Sequence, residues 1–220
     1  MSITRNRDPG GEGRWNHVLL AFLLLLMVLQ PGTVVGEGIL VRLAFAAVLV
    51  ACITAVASQR RFLIVGLLLG GPALVLLFMR GSGPFALSVA FAIATLVFIC
   101  AVMLTRIFNR RAVTSASITA ALSVYMLFGV IWSQAYRLVE YFQPGSFNGL
   151  SGSSLAEVQR ELYYYSYVTL STLGYGDISP ASSIARSLAI TEAIVGQLYL
   201  VVLVAGLVGM HLAGKQKPGE

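Results

Sequence analysis

Residues 163–180 read Tyr-Tyr-Tyr-Ser-Tyr-Val-Thr-Leu-Ser-Thr-Leu-Gly-Tyr-Gly-Asp-Ile-Ser-Pro. An aromatic run, Tyr163, Tyr164, Tyr165 and Tyr167, leads into a hydroxyl-bearing apolar stretch from Val168 to Thr172. Two glycines then flank a tyrosine, followed by an aspartate and, three residues later, a proline. A soluble enzyme can use Gly-Tyr-Gly-Asp as a simple turn. Here both neighbours, residues 115–139 and 183–212, are long and apolar, so the stretch falls between two predicted membrane spans. Irregular backbone at membrane depth is tolerated only where protein buries it or where it lines a watery cavity.

Composition agrees. Hydrophobic residues make up 57% of the 220, and charged ones 11%, against about 25% in ordinary soluble domains. The mean hydropathy is +0.83. The chain therefore reads as an integral membrane protein. The net charge of +6 is not a nucleic-acid footprint, because the basic residues fall in small groups between apolar segments, as topology determinants do. Cys52 and Cys100 both lie in apolar runs, which argues against a disulfide framework. His17 and His211 stand alone at span ends, so no metal-ligand cluster is expected.

The glycines have a physical task in this setting. If the carbonyls of Thr172, Leu173, Gly174 and Tyr175 are all to point at one axis, some residues must take positive φ. Glycine does so at little cost, and Gly174 and Gly176 sit at alternate positions. Thr172 can add its hydroxyl oxygen at the inner end. Such a column of oxygens can replace the water shell of a dehydrated cation.

Thr172-Leu173-Gly174-Tyr175-Gly176-Asp177 resembles the selectivity-filter signature of tetrameric potassium channels, usually Thr-Val-Gly-Tyr-Gly-Asp, with Leu173 the one departure. The resemblance spans residues 115–212. It implies a passive potassium-selective channel rather than an enzyme, a homotetramer in the lipid bilayer, K+ bound at Thr172, Leu173, Gly174 and Tyr175, and no cofactor beyond the permeant ion. It also implies that Asp177 stands at the outer mouth and bonds to pore-helix aromatics, and that Gly196, nineteen residues after Asp177 (196 − 177), is a hinge. A glycine there can equally serve close packing. A non-conducting or accessory subunit that keeps the pore fold, or a weakly selective cation channel, is the alternative.

Read in order, the sequence predicts an all-α membrane protein with six transmembrane helices and a re-entrant pore helix and filter loop between the last two. Residues 1–16 are a cytoplasmic tail, 17–112 a four-helix membrane domain, 113–212 the pore domain and 213–220 a second tail. The predicted spans are 17–35, 38–57, 62–79, 84–105, 115–139 and 183–212, with an exposed loop over 140–159 and the short pore helix over 160–171. Gly70-Gly71-Pro72 is expected to interrupt and kink the third span. The core of the first run is short for a span, and a signal peptide competes with the favoured retained helix.

Ten of the fifteen basic residues, Arg5, Arg7, Arg14, Arg60, Arg61, Arg106, Arg110, Arg111, Lys215 and Lys217, fall on one side of this plan. Arg42, Arg80, Arg137, Arg160 and Arg186 fall on the other. Both termini are then cytoplasmic and the filter opens outward from a cell membrane. In the last span Gln197 is polar at mid-membrane depth, where such groups face a cavity or a partner. Leu200, Val204 and Val208 share its stripe and make a candidate apolar gate. Glu192, one turn before Gly196, is a candidate modulator that bonds hydroxyls behind the filter. Glu140, Glu157 and Glu161 read as a solvated outer turret. The fourth span carries no arginine over 84–105, so steep voltage dependence is not expected. About eight residues follow Leu212, too few for a ligand-binding domain there.

Overall fold

The computed structural model describes residues 9–32, 39–56, 60–79, 82–109 and 114–215, with side chains undescribed at both ends of that range and around the breaks. Seven helices follow one another: α1 (Pro9–Gly32), α2 (Ile39–Val56), α3 (Arg60–Leu77), α4 (Ser82–Phe108), α5 (Ser115–Phe142), α6 (Leu155–Leu170) and α7 (Ser183–Lys215). Four of them hold segments long and apolar enough to cross a membrane: Arg60–Phe78, Pro84–Phe108, Ser115–Phe142 and Ser183–Leu203. The protein is a multi-pass, all-α membrane protein. In α1 and α2 the described apolar segments, Asn16–Met27 and Phe45–Ala55, are shorter.

One apolar core runs through α1 to α6, from Leu19 and Leu23 through Leu49, Leu96 and Ile99 to Leu127 and Tyr163. Polar groups tie α1 to the start of α5: Asn16 Nδ2 donates to the Ala116 carbonyl at 3.4 Å, and His17 Nδ1 pairs with Thr119 Oγ1 at 3.1 Å. The third span differs from its expected interruption, for α3 continues through Pro72. Gly70 serves packing: a Cβ there would lie 2.7 Å from Ile53 Cδ1 of α2 and 3.4 Å from Thr95 Cγ2 of α4, whereas one on Gly71 would meet nothing within 4 Å.

The 140–159 loop is corrected at both ends. α5 runs on to Phe142, and α6 begins at Leu155 because Ser154 and Glu157 form a reciprocal capping box, which satisfies orphan amides of the first turn. Between them the chain is not simply exposed, since Ser146 and Phe147 are buried. Strand β1 (Phe147–Asn148) pairs antiparallel with β2 (Ser179–Pro180), and the Ser146 carbonyl accepts from the Ala181 amide at 2.7 Å. The segments before α6 and after the 171–178 loop are thereby fastened to each other.

Candidate functional site

The loop between α6 and β2 departs most from ordinary backbone. Thr172, Gly174 and Gly176 have φ of +59°, +60° and +81°, so positive φ recurs at every second residue. For an L-residue the left-handed region costs roughly 1–2 kcal/mol, and threonine is β-branched, which makes it a marked outlier there. Among the described residues it is the one non-glycine with positive φ. Sequence reasoning assigned the turn to the glycines alone; nothing in a threonine announces it. Residues 171–177 are all exposed within the single chain, Leu173 at 55% and Tyr175 at 66%.

Both limbs of the loop are anchored. On the α6 side, the Leu173 amide donates to the Val168 carbonyl at 2.9 Å and the Thr172 amide to that of Thr169 at 3.0 Å. The Tyr125 hydroxyl of α5 reaches the Leu170 carbonyl at 3.3 Å. On the β2 side, the Tyr164 hydroxyl donates to Asp177 Oδ2 at 2.8 Å. Ile178 is buried with Phe147, Tyr136 and Tyr165, whose rings meet edge to face. The aromatic run divides its work accordingly. Tyr163 and Tyr165 are buried, Tyr164 holds the aspartate, and the Tyr167 hydroxyl bonds the Met126 carbonyl at 2.6 Å.

Behind the loop, Glu192 of α7 is wholly buried. Its Oε1 accepts from Ser166 Oγ of α6 at 2.5 Å, and its Oε2 accepts from the Tyr136 hydroxyl of α5. Ser166 also lies 2.8 Å from the Gly129 carbonyl. One carboxyl thus joins three helices. Tyr136 carried no signal in the sequence, because its partner lies 56 residues away.

Gly196 is buried, and a Cβ there would lie 2.8 Å from Leu170 Cδ1 and 2.9 Å from the Leu170 carbonyl oxygen. The glycine therefore has a packing role, since it lets α7 close on the last residue of α6. Gly129 is similar: a Cβ would fall 2.5 Å from the Tyr167 ring. Gln197 is exposed and Leu200 half-buried in the single chain. The side chains of Val204 and Val208 lie outside the described ones, as do Arg80, Arg110 and Arg111 and the tails over 1–8 and 216–220.

Glu140, Glu157 and Glu161 each accept local hydrogen bonds. Glu157 accepts from the Ser153 and Ser154 amides at 2.7 and 3.0 Å and from the Ser153 hydroxyl at 2.9 Å. These bonds, that of the Ser153 hydroxyl first, hold its carboxyl below the usual carboxylate range. Glu161 accepts from the Ser151 hydroxyl at 2.6 Å and from the Gly152 amide at 3.1 Å. Glu140 accepts from the Gly145 amide at 2.8 Å.

Residues 160–211 match a family model described as Ion channel. The matched segment takes in most of α6, the strained loop and most of α7, and it supports an ion-channel family for this part of the chain. It does not extend to α1–α5. No curated protein and no solved structure matches the chain.

Proposed function

We propose that four copies of this chain enclose a potassium-selective pore through which K+ moves passively, in single file, across a cell membrane. Each copy contributes Thr172, Leu173, Gly174, Tyr175 and Gly176 to a filter, with Asp177 at its outer mouth. The observation that carries this reading is the alternation of positive φ at Thr172, Gly174 and Gly176. Alternation in the sign of φ can turn successive carbonyls toward one axis, which the alternating pleat of a strand does not do. Four such rows can take the place of water around a bare cation. The C-terminal end of α6, with its partial negative charge, favours a cation at the inner end of the filter. The exposure of Leu173 and Tyr175 in one chain supports neighbouring copies as what covers them.

In this reading α1 and α2 complete six spans and both termini are cytoplasmic. α7 lines the inner cavity with Gln197, and Leu200, Val204 and Val208 narrow it below. Arg106, in the last turn of α4, reaches the Ala55 carbonyl at 3.2 Å, and no arginine lies within 84–105.

Purified protein in liposomes tests the reading. Potassium efflux is expected with sodium efflux far slower, and current is expected to lack steep voltage activation. Tyr175→Val should lower the preference for potassium while the protein still assembles. Intact assemblies that pass neither ion would point to the accessory-subunit alternative, and equal passage of both ions to a weakly selective pore.

A further inference from the structure

A cavity of about 290 Å³ lies beside the pore segment, at the end of the molecule that carries the α6 N-terminus. Two cations line it, Arg42 of α2 and Arg137 of α5. Arg137 is half-buried; its Nη1 donates to Gln134 Oε1 at 2.6 Å, and its guanidinium carbon sits 5.0 Å from the centre of the Phe85 ring. A guanidinium has five N–H donors, so most of this one's capacity is unspent. Among the described residues Arg42 makes no hydrogen bond or ion pair, and no described carboxylate lies within ion-pair distance of either arginine. Glu140 is one turn from Arg137 on α5, yet it is turned to the Gly145 amide.

A third polar group also lines the cavity: Gln159 of α6, at 8% exposure, whose carboxamide makes no hydrogen bond among the described residues and is not sealed from solvent. Two like charges face this cavity without a described carboxylate partner, and Arg137 is half-buried. All three groups can donate to an anion, and an arginine fork matches phosphate geometry. The remaining wall is apolar, including Phe45 of α2, Leu76 of α3 and Val89 of α4. A ligand that satisfies both halves has a phosphate head and a hydrocarbon tail.

We propose that this cavity binds the phosphate of an anionic phospholipid, held by Arg42, Arg137 and Gln159. The lipid joins the α2–α4 helices to α5 and α6, independently of whether the protein conducts. A free phosphate ion would satisfy the donors but would leave the apolar wall uncovered, which favours the lipid.

The test uses the full-length protein in detergent with equal amounts of phosphatidylglycerol and phosphatidylcholine of matched chains, and native mass spectrometry to count lipid retained. Wild type should keep phosphatidylglycerol in preference. Arg42→Gln should lower the retained phosphatidylglycerol-to-phosphatidylcholine ratio by about tenfold or more, as loss of a hydrogen bond to a charged group predicts. Gln159→Met should lower it less, and Arg186→Gln, on the same side but outside the cavity, should leave it unchanged. Arg42 is exposed, so its replacement leaves the core intact, and thermal unfolding in phosphatidylcholine alone checks the fold of each variant. An unchanged ratio in Arg42→Gln and Gln159→Met would overturn the proposal. Displacement of the lipid by millimolar inorganic phosphate would reassign the cavity to a free anion and overturn it equally.

Discussion

Gly196→Ala separates a glycine kept for bending from one kept for contact. The new methyl would sit 2.8 Å from Leu170 Cδ1 and 2.9 Å from the Leu170 carbonyl oxygen, where carbon atoms prefer about 3.5–4.0 Å. The Leu170 side chain is fully buried and has little room to yield, and the carbonyl is backbone. α7 must therefore move away from α6 by a substantial fraction of an ångström. Overpacking of this kind costs about 1–3 kcal/mol, and the displacement falls two residues from Thr172. The assay is thermal unfolding of the assembled protein beside liposome potassium flux at equal reconstitution. Stability should fall by several degrees and flux with it. Leu170→Ala in the same chain should restore only part, because the clash with the carbonyl oxygen remains. If Gly196→Ala unfolds at the wild-type temperature while flux alone changes, the contact argument fails and the hinge role stands.

Other outcomes follow from the same geometry. Glu192→Ala strands the buried Tyr136 hydroxyl and removes one partner of Ser166, at about 1–3 kcal/mol per unsatisfied group, whereas Glu192→Gln keeps an acceptor and should cost clearly less; equal losses in denaturant unfolding would contradict the three-helix junction. Tyr164→Phe deletes the 2.8 Å bond to Asp177. At an exposed position this costs about 0.5–1.5 kcal/mol, and the expected result is a less potassium-selective flux from a protein of unchanged fold. Glu157 has a pKa depressed by its hydrogen bonds, so its contribution is present above its unfolded value and is lost as pH falls through the lower folded value. Acidification through the carboxylate range should lower the protection of amides over 153–158, corrected for the intrinsic exchange rate, in wild type. Glu157→Gln should show low protection at neutral pH already and little further change on the same corrected scale.

The membrane class, the unusual loop and the three helices around it could be read from the sequence because each leaves a local mark. Apolar length marks α3, α4, α5 and α7, and the glycine spacing marks the loop. What escaped depends on residues far apart in the chain. Two-residue strands have no periodicity to detect, so the pairing of Phe147–Asn148 with Ser179–Pro180 was invisible and residues 140–159 looked like open loop. The start of α6 was legible in principle, for Ser154-Leu155-Ala156-Glu157 is a capping-box string, but the glycine and serine around it pointed to a loop. The Leu170 contact that explains Gly196 lies 26 residues back (196 − 170), and Arg42 and Arg137 approach one cavity from positions 95 apart (137 − 42).

Strain and support are distributed unequally around the loop, and that inequality bears on how it works. A left-handed threonine persists only where its surroundings over-determine it. Here they do so from three directions. The α6 carbonyls hold the amides of Thr172 and Leu173, Tyr164 holds Asp177, and β2 is clamped to β1. The residues between those anchors, Gly174 to Gly176, make no hydrogen bond among the described residues beyond the 3.3 Å bond of the Gly174 amide to Val168. No described donor claims their carbonyls. A loop that served only as a turn would have no reason to store strain at Thr172 and leave its apex oxygens unspent. A loop whose oxygens must exchange with water around a passing ion needs both: stiff ends that fix its width, and acceptors that no internal donor has claimed.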